Sequence, residues 1–215
     1  MKKNSTSQLV AQALLDIGAV GFALERPITF KSGILSPVYV DNRRLPFHPK
    51  EWRVVLEGFA ALIKENQLEF DAIAGIETAG IPHSGALGFL LQEPSIFVRK
   101  KVKDHGTKSR VEGGDVKDKS VLLLEDLVTT GGSSLAGVEA LREGGARVTD
   151  CLVIVSYGFP DSVAAFKKAH VKLHPLTTFA DILHTAVVQQ QITPKQRQVV
   201  ETWQADPWGW KGDKQ

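Results

Sequence analysis

From residue 71 onward, short continuous apolar runs alternate with segments of helical character. An uninterrupted apolar run is typical of a strand buried on both faces, and such strands occur in parallel sheets that helices cover on both sides. The pattern therefore predicts an α/β fold with a mostly parallel central sheet and helices on both faces. The predicted strands are residues 72–76, 95–98, 121–124, 152–155 and 171–173, and the predicted helices between them are residues 82–91, 133–142 and 162–169.

The flanking segments have clear but shorter patterns. Apolar residues at helical spacing predict helices over residues 9–17 and 49–66, with two short strands at residues 28–30 and 38–40 between them. Beyond about Phe179, two more helices are expected on either side of Thr193 and Pro194. A chain of 215 residues is long enough for one domain with a full core, so residues 1–215 are predicted to form a single domain.

Bulk composition excludes several classes of protein. The net charge of +2 gives no support to nucleic-acid binding. No apolar stretch approaches the roughly 18 residues of a membrane span. The lone cysteine, Cys151, lies in an apolar run, and we expect a buried side chain rather than a nucleophile. A cytoplasmic protein without a membrane or nucleic-acid partner is the expectation.

The segment after the predicted strand 121–124 carries the strongest functional pattern. The acids Glu125 and Asp126 come first, and a turn rich in Thr, Gly and Ser leads from them into a helix. Glycines let backbone N–H groups approach a phosphate, and the helix that follows presents its positive end. Acids would repel a phosphate but suit ribose hydroxyls or a metal ion. A generic strand–helix turn is the alternative, whereas a P-loop is excluded because no G-K-[ST] follows.

A second pattern is basic. Residues 99–103 concentrate cations, and a polar stretch with glycines continues to Asp118. Such a cluster suits a polyphosphate, although taken alone it is more typical of a solvated loop.

With these motifs, the chain resembles the type I phosphoribosyltransferases, enzymes that use phosphoribosyl pyrophosphate (PRPP). The resemblance implies their fold, with a small N-terminal hood over the base pocket to which residues 1–45 contribute. It implies that Glu125 and Asp126 hold the ribose. The residues implied to hold the 5-phosphate are Thr129, Thr130, Gly131, Gly132 and Ser133.

The basic segment is similar to the R-K-x-x-K-x-H-G catalytic loop of orotate phosphoribosyltransferases. The matching residues are Arg99, Lys100, Lys103, His105 and Gly106. The resemblance implies that this loop closes over the pyrophosphate in the neighbouring subunit of a homodimer, with Arg99 binding substrate and Lys103 nearest the leaving group. It implies a catalytic role for Lys100, Lys103, His105 and Asp126.

Two more segments match the same family. Residues 30–41 resemble its F-x-S-G-x-x-S-P-x-Y-x-D hairpin, which implies base contacts from Lys31 and from the region of Tyr39. Residues 75–82 resemble its pyrophosphate-binding loop, where Thr78 stands in place of a frequent lysine. A further departure lies at residues 156–160, which lack the arginine that binds the orotate carboxylate in many members.

The resemblance implies transfer of the phosphoribosyl group from PRPP to orotate in pyrimidine biosynthesis. Mg2+ is the implied cofactor, bound mainly through PRPP and water without metal ligands from the protein. The missing arginine leaves a phosphoribosyltransferase for a purine or for uracil as an alternative. A PRPP-sensing regulator without catalysis is a second alternative.

Overall fold

A computed structural model describes residues 5–101 and 109–212. The helices are α1 (Thr6–Asp16), α2 (Pro49–Glu65), α3 (Gly80–Leu91), α4 (Gly132–Glu143), α5 (Pro160–Lys168), α6 (Phe179–Val188) and α7 (Pro194–Ala205), with a 3-10 helix at Asn42–Phe47. The strands are β1 (Val20–Phe22), β2 (Ile28–Thr29), β3 (Leu35–Ser36), β4 (Val38–Val40), β5 (Ala72–Ile76), β6 (Ser95–Val98), β7 (Val111–Glu112), β8 (Val121–Val128), β9 (Asp150–Ser156) and β10 (Lys172–Thr178).

The central feature is a six-stranded sheet in the order β10-β9-β8-β5-β6-β7. All neighbouring pairs are parallel except β6 and β7, which are antiparallel. The predicted α/β class with a mostly parallel sheet is confirmed. In such sheets ligands bind beyond the carboxyl ends of the strands, and β8 lies in the middle of that edge.

Successive side chains of a strand point to opposite faces of the sheet. Because the central strands place apolar side chains on both faces, helices cover each of them. On β8, Leu122 and Leu124 belong to the core cluster that includes Phe59 of α2 and Leu87 of α3. Leu123 belongs to the opposite cluster, together with Leu141 of α4. Cys151 is fully buried in β9, as its apolar surroundings predicted.

The N-terminal strands differ from the prediction. Instead of two strands that flank one turn, β2 pairs with β3 and β4 pairs with β1 in two separate two-stranded sheets. The sequence pattern missed β1, because a three-residue strand is too short to show alternation. Both small sheets lie within residues 1–45, the stretch predicted to contribute to the hood. The limits of the hood and of the single domain stay predictions.

The two C-terminal helices were predicted, but their contact with the N-terminal strands was not. Trp203 of α7 is fully buried and donates a hydrogen bond from Nε1 to the backbone oxygen of Leu35, at 2.8 Å. Its ring packs edge-on against Phe30 and Tyr157. Helix α7 therefore contacts the β2–β3 hairpin at Phe30 and Leu35. In the two described stretches, no helix has the length and apolar character needed to cross a membrane.

His83 is expected to make the folding stability sensitive to acid. It is buried on α3, where its Nδ1 accepts a hydrogen bond from Trp52 Nε1 at 2.9 Å, and burial lowers its pKa to about 4. Because this pKa lies below that of the unfolded chain, the stability from neutral His83 is complete above about pH 6.5 and is lost as the pH falls towards 4, by up to about 3 kcal/mol.

His83→Asn should reduce that loss, since the asparagine Oδ1 can still accept the Trp52 bond but does not titrate. Thermal unfolding between pH 7 and about 4 would measure it. The exposed His184, changed to Asn, is the control. Equal acid sensitivity of wild type and His83→Asn would contradict the assignment.

Candidate active site

An acid pair lies near the carboxyl end of β8. Glu125 is buried; one of its oxygens accepts the backbone N–H of Asp126 at 3.1 Å, and the Ser134 hydroxyl lies 3.5 Å from the other. Burial raises the pKa of Glu125 well above its usual value, and the negative charge of Asp126 adds to this effect. Burial also raises the pKa of Asp126. Hydroxyl or cationic ligands would therefore stabilise the charged form of this pair.

The 3-10 helix Asn42–Phe47 supports the acid pair from the N-terminal side. Asn42 is fully buried and donates from Nδ2 to the backbone oxygen of Asp126 at 2.7 Å. The Arg43 side chain contacts Asp41 at 2.6 Å, and this hydrogen bond lowers the pKa of Asp41. The charge of Arg43 also acts on Asp126, where it opposes the effect of burial. Sequence reasoning missed Asn42, because its partner is 84 positions away.

The turn between β8 and α4 consists of residues 129–133. Gly131 has a φ of +83°, in the left-handed region that favours glycine. A Cβ at this position would lie 2.9 Å from the Phe166 ring. Because α4 begins at Gly132, the first N–H groups of that helix have no partner within it and can receive an anion. Hydroxyl groups are added by Thr129, Thr130 and Ser133.

A cleft of about 610 Å³ brings the separate motifs together. Its lining includes predicted site residues from the hairpin, the basic segment and the turn: Lys31, Arg99, Lys100, Thr129, Thr130 and Ser133. It also includes residues to which the sequence analysis gave no role: Phe30, Ser32, Ile76, Lys101, Arg110 and Ala136. Lysines and arginines from three parts of the chain line this cleft together with serine and threonine hydroxyl groups. Such a lining is suited to a phosphorylated ligand.

The hairpin tip reaches the cleft through a tight turn. Gly33 has a φ of +90°, and its N–H donates to the backbone oxygen of Phe30 at 2.9 Å. The Phe30 N–H in turn donates to the backbone oxygen of Ile34 at 2.8 Å. This turn presents the exposed Lys31 to the cleft, and the Ser-Gly pair at residues 32–33 was the sequence signal for it.

The start of the basic segment is held by acids. The Lys100 N–H donates to the Glu77 carboxylate at 2.8 Å, and Arg99 lies 3.5 Å from Glu112. These contacts fix the backbone where the chain leaves β6. The predicted catalytic residues Lys103 and His105 lie outside the described residues.

Other predicted residues do not line the cleft. Tyr39 pairs with Gly21 across the β1–β4 ladder, and its ring covers that glycine. Thr78 is exposed and follows two positions after Ile76, which does line the cleft. The roles of Tyr39 and Thr78 in binding stay predictions. Glu125, Asp126, Gly131 and Gly132 are not in the lining either. The two glycines lie between Thr130 and Ser133, which do line the cleft, and the acid pair is separated from Thr129 by Leu127 and Val128.

Tyr157 stands where the sequence lacks the arginine of many orotate phosphoribosyltransferases. Its side chain is buried, with ring contacts to Phe30, Phe159 and Phe179. Its hydroxyl has no hydrogen-bond partner among the described residues, and burial raises its pKa. The Tyr157 ring thus packs behind Phe30, which lines the cleft, so it shapes the wall of the cleft from within the core.

The fold and the cleft are those of a phosphoribosyltransferase. Residues 48–174 match the family model described as the phosphoribosyl transferase domain, and these residues contain the acid pair, the turn and the basic segment. An orotate phosphoribosyltransferase of Coxiella burnetii is 41% identical over 202 residues, covering 94% of this chain and 97% of that protein. One of Levilactobacillus brevis is 39% identical and covers 95% and 97%. The chain belongs to the orotate phosphoribosyltransferase family.

Solved structures agree with the sequence relatives. The orotate phosphoribosyltransferase of Aeropyrum pernix has a TM-score of 0.73 and 31% identity, with coverage of 81% of this chain and 96% of that chain. The UMP synthase of Leishmania donovani has a TM-score of 0.81 and 28% identity, over 94% of this chain. This chain spans 42% of that longer protein.

Proposed function

We propose that this chain transfers the phosphoribosyl group of PRPP to orotate, releasing pyrophosphate and forming orotidine 5'-monophosphate for pyrimidine biosynthesis. The observation that carries the proposal is the cleft, in which the hairpin tip, the basic segment and the phosphate turn meet. Each of these segments resembles a motif of one family, and residues of all three line this cleft.

In the reaction, a ring nitrogen of orotate forms a bond to the anomeric carbon of PRPP. The bond from that carbon to the pyrophosphate oxygen breaks, and its electron pair leaves with pyrophosphate. The nitrogen loses its proton to solvent. Positive charge develops on the ribose and negative charge on the leaving group, so positioned charges lower the barrier without a nucleophilic side chain.

The proposed roles follow from the position of each residue in or near the cleft and from the family motifs. The turn 129–133 binds the 5-phosphate through N–H and hydroxyl groups, and the acid pair before it binds the ribose hydroxyls. Arg99 and Lys100 stabilise the pyrophosphate as it leaves. Lys31, at the hairpin tip, binds the carboxylate edge of orotate. The roles of Lys103 and His105 rest on the family motif alone.

Mg2+ fits this site as an ion that arrives with the donor. Among the described residues no group of three or more His, Cys, Asp or Glu could hold a metal ion. Mg2+ usually takes one or two carboxylates together with substrate phosphates and water, and the Glu125–Asp126 pair can supply such carboxylates. When bound, the ion neutralises charge on the pyrophosphate oxygens.

We further propose a homodimer in the cytoplasm. The α3 helix exposes Phe89 and Leu90 to solvent, at 90% and 46%, and a second copy of the chain would cover them. Cys151 is the only cysteine and has no partner for a disulfide, as is typical of proteins in a reducing compartment. Sedimentation analysis of wild type and Phe89→Glu would test the dimer, and a wild-type monomer would refute it.

The test of the function is a comparison of bases. The protein is incubated with PRPP and Mg2+ and with orotate, uracil, hypoxanthine or adenine in turn, and pyrophosphate release is followed. Release is expected with orotate, at a rate at least about 100-fold above that with the other bases, since a site built to hydrogen-bond a carboxylate rejects a base that lacks one. Release with uracil or a purine instead would overturn the choice of orotate. If no base gave pyrophosphate release, the proposal that this chain is a phosphoribosyltransferase would be wrong.

A further inference from the structure

We propose that Arg110 binds a phosphate group of the donor and is therefore a substrate-binding residue of this cleft, an inference that rests on the proposed function. Arg110 lies beyond the R-K-x-x-K-x-H-G motif and outside the other short motifs on which the resemblance was based. It lines the cleft together with Thr129, Thr130 and Ser133.

The guanidinium of Arg110 is held in place from two sides. Its Nε donates to the backbone oxygen of Arg99 at 2.9 Å, and its Nη1 donates to the backbone oxygen of Ala136 at 3.1 Å. The Arg99 N–H returns a hydrogen bond to the Arg110 backbone oxygen at 2.8 Å. The side chain therefore bridges the end of β6 and the first turns of α4, the helix that follows the phosphate turn.

Within the described residues, these two bonds leave most of the hydrogen-bond donors of the guanidinium without a partner. An arginine has five N–H donors, and the carbonyls take one from Nε and one from Nη1. Neither carbonyl carries a negative charge, and within the described residues no carboxylate forms an ion pair with Arg110, whereas Arg99 faces Glu112 at 3.5 Å. A fixed, half-buried cation with free donors suits a phosphate, because little rotamer freedom is lost on binding.

If the role of Arg110 were purely structural, its two bonds to carbonyl oxygens would be its whole function. Arg142 is an example of an arginine with such a structural role. Arg142, at the other end of α4, also donates to two backbone oxygens, those of Ala169 at 3.0 Å and Val148 at 2.6 Å. It does not line the cleft. The two arginines thus differ mainly in whether the remaining donors can reach the ligand, and Arg142 is the matched control.

The experiment compares wild type, Arg110→Gln and Arg142→Gln by titration calorimetry with PRPP, pyrophosphate and ribose 5-phosphate as separate probes. The expected result is a PRPP dissociation constant raised about tenfold or more in Arg110→Gln only, as for a lost charge-assisted hydrogen bond. The probe that weakens in parallel identifies the phosphate group. Both variants should lose similar thermal stability, since each gives up two carbonyl contacts.

Unchanged PRPP affinity in Arg110→Gln, or an equal loss in Arg142→Gln, would overturn the inference while the proposed function stood. Failure of the wild type to bind PRPP would remove the proposed function itself. If Arg110→Gln does not fold, the PRPP affinity of Arg110→Lys is measured instead. Lysine keeps the charge but not the planar fork, so PRPP affinity should fall at least about threefold, and wild-type affinity in Arg110→Lys would overturn the inference.

Discussion

Replacing Asp126 by asparagine is expected to raise the dissociation constant for PRPP about 10- to 100-fold, because the ribose hydroxyls lose a charged acceptor. The substitution keeps the shape of the side chain and the Asn42 bond to the Asp126 backbone oxygen. Thermal stability near neutral pH should not fall, since burial raises the pKa of Asp126 and the ionised carboxyl is costly to bury. Calorimetry with PRPP and thermal unfolding measure the two effects.

The sign of the pH dependence follows from this raised pKa. A carboxyl whose pKa is higher in the folded than in the unfolded chain gives stability that is complete below the unfolded pKa and is lost as the pH rises through the folded one. Asp126→Asn should therefore lose less stability than wild type as the pH rises from about 4. Asp16→Asn, at an exposed carboxylate on α1, is the control. Unchanged PRPP affinity would remove Asp126 from the site.

Replacing Gly131 by alanine is expected to lower turnover about 100-fold, because the phosphate turn must shift. The left-handed φ of +83° costs a residue with a Cβ about 1–2 kcal/mol. The added Cβ also lies 2.9 Å from the Phe166 ring, and one of the two must move. Steady-state kinetics with PRPP and orotate, together with thermal unfolding, would separate the catalytic from the folding effect.

Gly158→Ala is the matched control for that strain. Gly158 has a φ of +70°, but a Cβ there meets nothing within 4 Å, and the residue does not line the cleft. It should lose a similar 1–2 kcal/mol, as an approximate cost of the backbone conformation, while turnover is retained. Equal turnover in Gly131→Ala and Gly158→Ala would contradict a phosphate-binding role for the turn.

Local pattern alone was enough to predict five of the six strands of the central sheet and the principal motifs. The runs at 72–76 and 95–98 became β5 and β6 at the same residues, because a strand buried on both faces leaves an uninterrupted apolar signal. The acid pair and the turn after it could be predicted from the sequence for a similar reason. Strand, acids, glycines and helix follow each other directly in the chain, so their chemistry and their spacing appear together in the sequence.

The ends of the strands were predicted less accurately from the sequence. The apolar run of β8 stops at Leu124, yet the strand continues to Val128, because the backbone goes on pairing with β9 after the side chains turn polar. The same holds for β7, which lies in a segment expected to be loop but pairs with β6. Backbone hydrogen bonds to a neighbouring strand leave no mark on composition.

The pattern of residues was sufficient to predict the α/β class, most of the central strands and the segments that form the site. How those segments are held depends on long-range contacts that appear only in the folded chain. Three of them are the Asn42 bond to Asp126, the Trp203 bond to Leu35 and the bond from Arg110 to Ala136. Each of these contacts joins a side chain to a backbone oxygen far away in the chain. Since every residue has such an oxygen, no residue type identifies the partner, and only the folded geometry selects it.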